Sequence, residues 1–253
     1  MASPPDFGAL KLAHVRPVQP LFFPEQEPEH ERLGQPPRHY DLCRLLYEII
    51  AGAAGDRHGV AGDMFVYWVP TDPRQCRAPD VALKLGLPQR DLVEHPSWKT
   101  WELGAPDVAV EILSLSDTRE RWTLEEKRDA YRDIGVREFV CFDLDAAPGA
   151  RLRAWDHIDG DFVERVVEAE RTPCLTLSVA RGASFEWCIA EVATYPVALR
   201  LTRDGILVPT PEEEALSAKA QLADESARAT ASEASAKSAQ ARIAELEALL
   251  AAK

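Results

Sequence analysis

Two strand-like segments of the chain each open with Pro-Asp. The first is Pro79-Asp80-Val-Ala-Leu-Lys-Leu, and the second is Pro106-Asp107-Val-Ala-Val-Glu111-Ile-Leu-Ser114. An acid inside an apolar strand is costly to bury unless it is paired or metal-bound. Glu111, between Val110 and Ile112, is such an acid. Strand alternation puts Val108, Val110 and Ile112 on one face and Ala109, Glu111 and Leu113 on the other. Glu111 therefore faces solvent from an edge strand, or it is a buried acid with a task.

The following helix, expected from about Thr123 to Ile134 and ended by Gly135, bears on that choice. Thr123-Leu-Glu-Glu126 fits a capping box. At helical spacing Leu124, Tyr131 and Ile134 form an inward stripe, and Lys127 lies in its middle. A lysine there snorkels to the rim or meets the carboxylates of neighbouring strands.

Spacing decides which acids can meet. Asp107 and Glu111 are separated by roughly 13 Å along one strand, too far to share an ion. If the strands at 81–85 and 108–113 pair antiparallel, Asp80 comes beside Glu111 and Asp107 is left at the far end. Two carboxylates with a nearby lysine form a hard-cation site suited to Mg²⁺ or Mn²⁺. Such an ion activates water against a phosphodiester, and the lysine holds the nucleophile or the phosphate.

The elements around this block follow from pattern. Residues 1–37 are Pro-rich and read as an extended arm. A helix is expected at about 38–51, with Leu42, Leu45, Leu46, Ile49 and Ile50 on one face. Strands are expected at 64–69, 81–85, 108–113 and 138–142. A hairpin at 152–156 and 162–167 turns on His157-Ile-Asp-Gly-Asp161. Weaker strand signals lie at 175–179, 185–189, 197–201 and 206–208. Residues 211–253 are Ala/Glu-rich and lack Gly after Pro211, which predicts a helical tail. Its clearest stripe is Ile243, Leu246 and Leu250, giving a weakly encoded coiled coil or a solvated helix.

Composition removes several classes. With 29 Lys+Arg against 42 Asp+Glu, the net charge is −13, which excludes a binder that grips nucleic acid by bulk charge. A groove that is locally basic or holds metal is untouched by that argument. No apolar run approaches a membrane span, and no signal peptide is expected at the start. The five cysteines are odd in number and lack a C-x-x-C, which points to reduced thiols and a cytoplasmic setting. The six histidines form no spaced metal pair and are expected on the surface or in loops. Trp98 and Trp101 read as rim packing or partner-facing.

The run PDVALKLG, then APDVAVEILSLSDTRERWTLEEKRDAYRDIGVREFVCFDLD, resembles the Uma-two family of the PD-(D/E)XK nuclease superfamily. The resemblance covers about 38–210. Its elements here are Asp80, Asp107, Glu111-Ile-Leu-Ser114, Lys127-x-x-x-Tyr131, Gly135-Val-Arg-Glu138-Phe139 and Asp143. It implies an α/β restriction-endonuclease-like fold. That fold has a mixed central sheet flanked by helices, here with extra C-terminal strands and the helical tail. It also implies a metal-dependent endonuclease acting on DNA. By position Asp80 and Glu111 match the two acids of the superfamily motif. The lysine normally two residues after the second acid is absent, since Leu113 stands there, and Lys127 is its natural substitute.

Supporting roles fall to Asp107, which caps its strand or backs the site, and to Ser114, expected to hydrogen-bond nearby. Glu48 matches the optional acid of the first helix, although an i, i+4 pair with Arg44 is the competing reading. Related nucleases often work as dimers, so the tail is a candidate pairing element. The competing function is a catalytically idle relative that acts as a binding module through its tail.

Overall fold

The computed structural model describes residues 37–114, 122–192 and 195–251. The Pro-rich arm expected over 1–37 lies outside these, apart from Pro37, the first residue of helix α1 (Pro37–Ala54). Proline suits that first helical position because its missing N–H has no partner to lose there. The buried face of α1 carries Leu42, Leu45, Leu46, Ile49 and Ile50, as the apolar spacing predicts.

Strands β1 (Gly59–Ala61), β2 (Val66–Tyr67), β3 (Cys76–Arg77) and β4 (Val81–Lys84) follow. Then come the single-turn helix α2 (Gln89–Leu92), β5 (Trp98–Lys99), and a second short helix α3 (Thr100–Leu103). The central block is β6 (Val108–Leu113), α4 (Leu124–Ile134) and β7 (Glu138–Asp143). After it run β8 (Leu152–Ile158), β9 (Asp161–Glu164), β10 (Arg171–Pro173), α5 (Leu175–Arg181), β11 (Phe185–Val192), β12 (Tyr195–Arg203) and β13 (Ile206–Leu207). The chain then enters α6 (Pro211–Ala251).

The main sheet has the order β1-β4-β6-β7-β8-β9. Only β6 and β7 run parallel, joined by the crossover through α4, so the sheet is mixed. Smaller sheets β3-β2-β5 and β10-β11-β12-β13 complete the mixed α/β architecture. Val108, Val110 and Ile112 pack with α1, Leu177 of α5 and Trp187 of β11. Ala109 packs on the opposite side with Tyr131, Ile134, Phe139 and Trp155.

Glu138 ties the main sheet to the second. It is 1 % exposed. Its carboxylate accepts from Trp187 Nε1 at 2.8 Å, from the Thr176 backbone N–H at 3.1 Å and from Arg165 Nη1 at 3.2 Å. The root of α6 is tied down in a similar way. Arg200, 1 % exposed, donates from Nη2 to Glu213 Oε2 at 2.8 Å and from Nη1 to the Glu191 carbonyl at 2.7 Å. Thr210 and Glu213 add a reciprocal cap, Thr210 N to Glu213 Oε2 at 2.8 Å and Glu213 N to Thr210 Oγ1 at 3.2 Å.

Two expected strands are corrected. Residues 175–179 form the helix α5, not a strand. Leu175 and Val179 are 50 % and 85 % exposed while Leu177 is fully buried, so the apparent alternation has only one inward member. Ser178 binds the Cys174 carbonyl through both backbone and side chain, and Gly182 closes the turn at φ 61°. The apolar run at 64–69 is a strand only at Val66–Tyr67, because β3 and β5 are too short to pair with more. Trp98 is wholly buried with Nε1 donating to the Gly104 carbonyl at 2.9 Å, while Trp101 is exposed.

Candidate functional site

The capping box at Thr123 forms as the sequence predicts. Glu126 N donates to Thr123 Oγ1 at 3.2 Å and Thr123 N donates to Glu126 Oε2 at 2.8 Å. Gly135 ends α4 in the left-handed region at φ 89°. With both ends fixed, the helix turns Lys127, Ala130, Tyr131 and Ile134 inward. Leu124, at the head of the expected stripe, is only half-buried.

Glu111 faces this helix from β6 and is 3 % exposed, with Lys127 7 % exposed. Lys127 Nζ donates to Glu111 Oε2 at 2.6 Å, and the Tyr131 hydroxyl donates to Oε1. Burial raises the Glu111 carboxyl to about 7, Lys127 opposes that rise, and the Asp80 charge adds to it. Burial and the Glu111 charge push the Tyr131 phenol well above its usual range. Tyr131 therefore remains a proton donor toward Glu111.

Asp80 stands one residue before β4. The antiparallel register pairs Val81 with Val110, and continuing it by one residue sets Asp80 opposite Glu111. Asp80 Oδ2 accepts from the Ile112 backbone N–H at 2.6 Å, and Oδ1 accepts from His39 Nε2 at 3.2 Å. A cavity of about 470 Å³ between α1 and the β1 side of the sheet is lined by Tyr40, Cys43, Arg44, Tyr47, Asp63 and Asp80, among others. Asp80 thus borders this cavity from the strand position opposite Glu111.

The remaining expected residues lie elsewhere. Asp107 is buried, accepts from the Leu85 backbone N–H at 2.8 Å, and pairs with Lys84 at 3.1 Å and Arg137 at 3.2 Å. It fastens the end of β4 to the start of β6, at the opposite end of the strand from Glu111. Glu48 accepts from Arg44 at 2.6 Å across one helical turn. Ser114 is half-buried just after β6.

His39 and Cys43 were not anticipated as site residues, and the expectation of surface histidines is corrected for His39. It is 3 % exposed and rests on Asp80. The available signal was the spacing: His39 and Cys43 are four apart on α1 and therefore share a face. In the sequence Tyr131 reads as core and as an element of the Lys-x-x-x-Tyr motif, with no site role expected of its hydroxyl, which donates to Glu111.

The donor set suits a hard divalent cation. Asp80 and Glu111 are both largely buried acids at neighbouring positions where β4 pairs with β6, and Lys127 is ion-paired to Glu111. The rise at Glu111 comes mainly from burial, with the Asp80 charge adding to it and Lys127 opposing it. Asp80 and Glu111 are two acids of the chain that could hold such an ion.

The profile of the Uma2 family, described as "Putative restriction endonuclease", matches residues 30–179, more than half of the chain. The chain belongs to the Uma2 family. The Uma2 match spans α1, the paired strands β4 and β6, α4 and β7, so all the residues gathered at the site fall within it. No curated protein matches the chain. The family assigns the chain to the restriction-endonuclease-like nucleases, a group that generally uses divalent metals on DNA. Among the described residues no helix is long and apolar enough to cross a membrane.

Proposed function

We propose that the protein is an endonuclease that hydrolyses DNA phosphodiester bonds with Mg²⁺ or Mn²⁺ at Asp80 and Glu111. The observation that carries this reading is the placement of Asp80 opposite Glu111 with Lys127 on the Glu111 carboxylate. Asp80 and Glu111 would hold a divalent ion, which when bound would supply Lewis-acid polarisation of a phosphoryl oxygen and an acidified water. Lys127 supplies a fixed positive charge to steady the scissile phosphate or the attacking water. It takes the part of the motif lysine whose position Leu113 occupies. Tyr131 holds the second Glu111 oxygen and fixes the carboxylate plane. Asp107 acts at a distance, by holding β4 and β6 in register.

We read 38–210 as the nuclease unit and 211–253 as a tail that pairs two copies. Leu216, Leu222, Ile243, Leu246 and Leu250 are exposed along α6, and a marginal helix of this kind gains from a covering partner. The five unpaired thiols support a cytoplasmic setting.

The test is cleavage of double-stranded, single-stranded and branched DNA by the full chain, with Mg²⁺, with Mn²⁺ and with chelator. Metal-dependent cutting that is abolished in Glu111→Gln and Lys127→Met is expected. Equal cutting by wild type and Glu111→Gln, or none on any substrate, overturns the reading.

A further inference from the structure

We propose that His39, Cys43 and Asp80 form a zinc-binding site, different in ligand chemistry from the hard-ion pair and sharing only Asp80 with it. His39 and Cys43 stand one turn apart on the same face of α1, directly over the Asp80 carboxylate. Their ligand atoms, His nitrogen, Cys sulfur and carboxylate oxygen, all lie within 4.8 Å of one another. His39 Nε2 and Asp80 Oδ1 are already 3.2 Å apart. Two ligands on one tetrahedral Zn²⁺ are separated by roughly 3.3–3.8 Å, given bond lengths of about 2.0–2.3 Å. Closing this set needs only a small contraction around Cys43.

Ligand type selects the metal. Thiolate with imidazole and one carboxylate is a zinc set, whereas Mg²⁺ takes oxygen and disfavours sulfur. Cys43 and Asp80 also line the cavity, so a fourth position can be reached by water or an anionic ligand. Three protein ligands with an open position is the pattern of an accessible zinc site.

Cys43 is not a nucleophile poised for reaction. Burial raises its thiol far above the usual range, and Asp80 adds to the rise by charge and by hydrogen bonding. An activated thiol needs the opposite surroundings. A bound cation would favour the thiolate form. Binding expels the thiol proton to solvent. The imidazole nitrogen that takes the metal carries no proton in the complex, so metal binding releases protons.

The test is a Co²⁺ titration of the reduced, full-length protein, followed by displacement with Zn²⁺. A thiolate-to-cobalt charge-transfer band saturating at one equivalent is expected, with tetrahedral visible bands, and Zn²⁺ should abolish both. Cys43→Ser should lose the charge-transfer band. His39→Gln should weaken Zn²⁺ at least about tenfold, since even outer-shell changes cost that much. Absence of the band in wild type, or its persistence in Cys43→Ser, overturns the proposal. Circular dichroism of both variants checks that they fold, and Glu111→Gln should keep the band. A band without DNA cleavage sinks only the nuclease reading, and cleavage without a band sinks only this one.

Discussion

Lys127 Nζ lies 2.6 Å from Glu111 Oε2, and the two residues are sixteen apart in sequence, one on α4 and one on β6. Removing one partner of such a buried pair strands the other charge, at a cost of about 3–5 kcal/mol. Lys127→Met should therefore destabilise the metal-free protein by that order. Adding Glu111→Gln should restore part of the loss, because the stranded charge is gone. Urea unfolding of the two single variants and the double variant measures the coupling, and simple additivity would contradict the pairing.

Glu111 also predicts a pH dependence. Its carboxyl is raised from 4.5 to about 7 in the folded chain. A raised acid binds more protons folded than unfolded between those values, so stability falls as pH rises through that window. Its contribution is fully present below about 4.5 and lost above about 7. In chelator, Glu111→Gln should flatten the stability profile of the wild type between those pH values. An unchanged slope in the variant would show that Glu111 titrates normally.

Glu138 predicts coupling between sheets. Its carboxylate holds Arg165, Trp187 and the start of α5 together. Glu138→Ala should cost about 3–5 kcal/mol as a broken buried ion pair. Trp187→Phe removes one donor and should cost about 1–3 kcal/mol. Thermal melts followed by near-ultraviolet dichroism test both, and a Glu138→Ala melt matching wild type would remove this account.

The tail predicts self-association. Light scattering should give a larger mass for the full chain than for a version ending at Ser217, which keeps the Glu213 anchor. Equal masses would show that α6 does not pair copies.

The acids at the site were legible because burial restricts them. A Glu within VAVEIL and a Lys within a helical apolar stripe each break a pattern, whereas the antiparallel pairing of β4 with β6 is only a supposition on sequence and is established by the structure. His39 was not legible in that way. One histidine near a helix start breaks no pattern, and its partner Asp80 is 41 residues away. The short strands β1, β2, β3 and β5 were illegible or overdrawn because tertiary pairing, not local propensity, sets two- and three-residue strands. Residues 175–179 misled for a similar reason. Leu, Leu and Val at alternate positions read as a strand, while the Gly182 turn and the Ser178 bond to Cys174 close a helix.

The anchor of Arg200 on Glu213 separates two boundaries that look alike on paper. Composition changes at Pro211, but the guanidinium of a strand residue in the preceding sheet depends on a carboxylate two residues beyond that seam. A protease fragment or fusion junction that ends at Thr210 would leave a cation in the interior without its counter-charge. The smallest transferable piece of this protein therefore extends at least through Glu213, and a breakpoint for grafting belongs in the second turn of α6 or later.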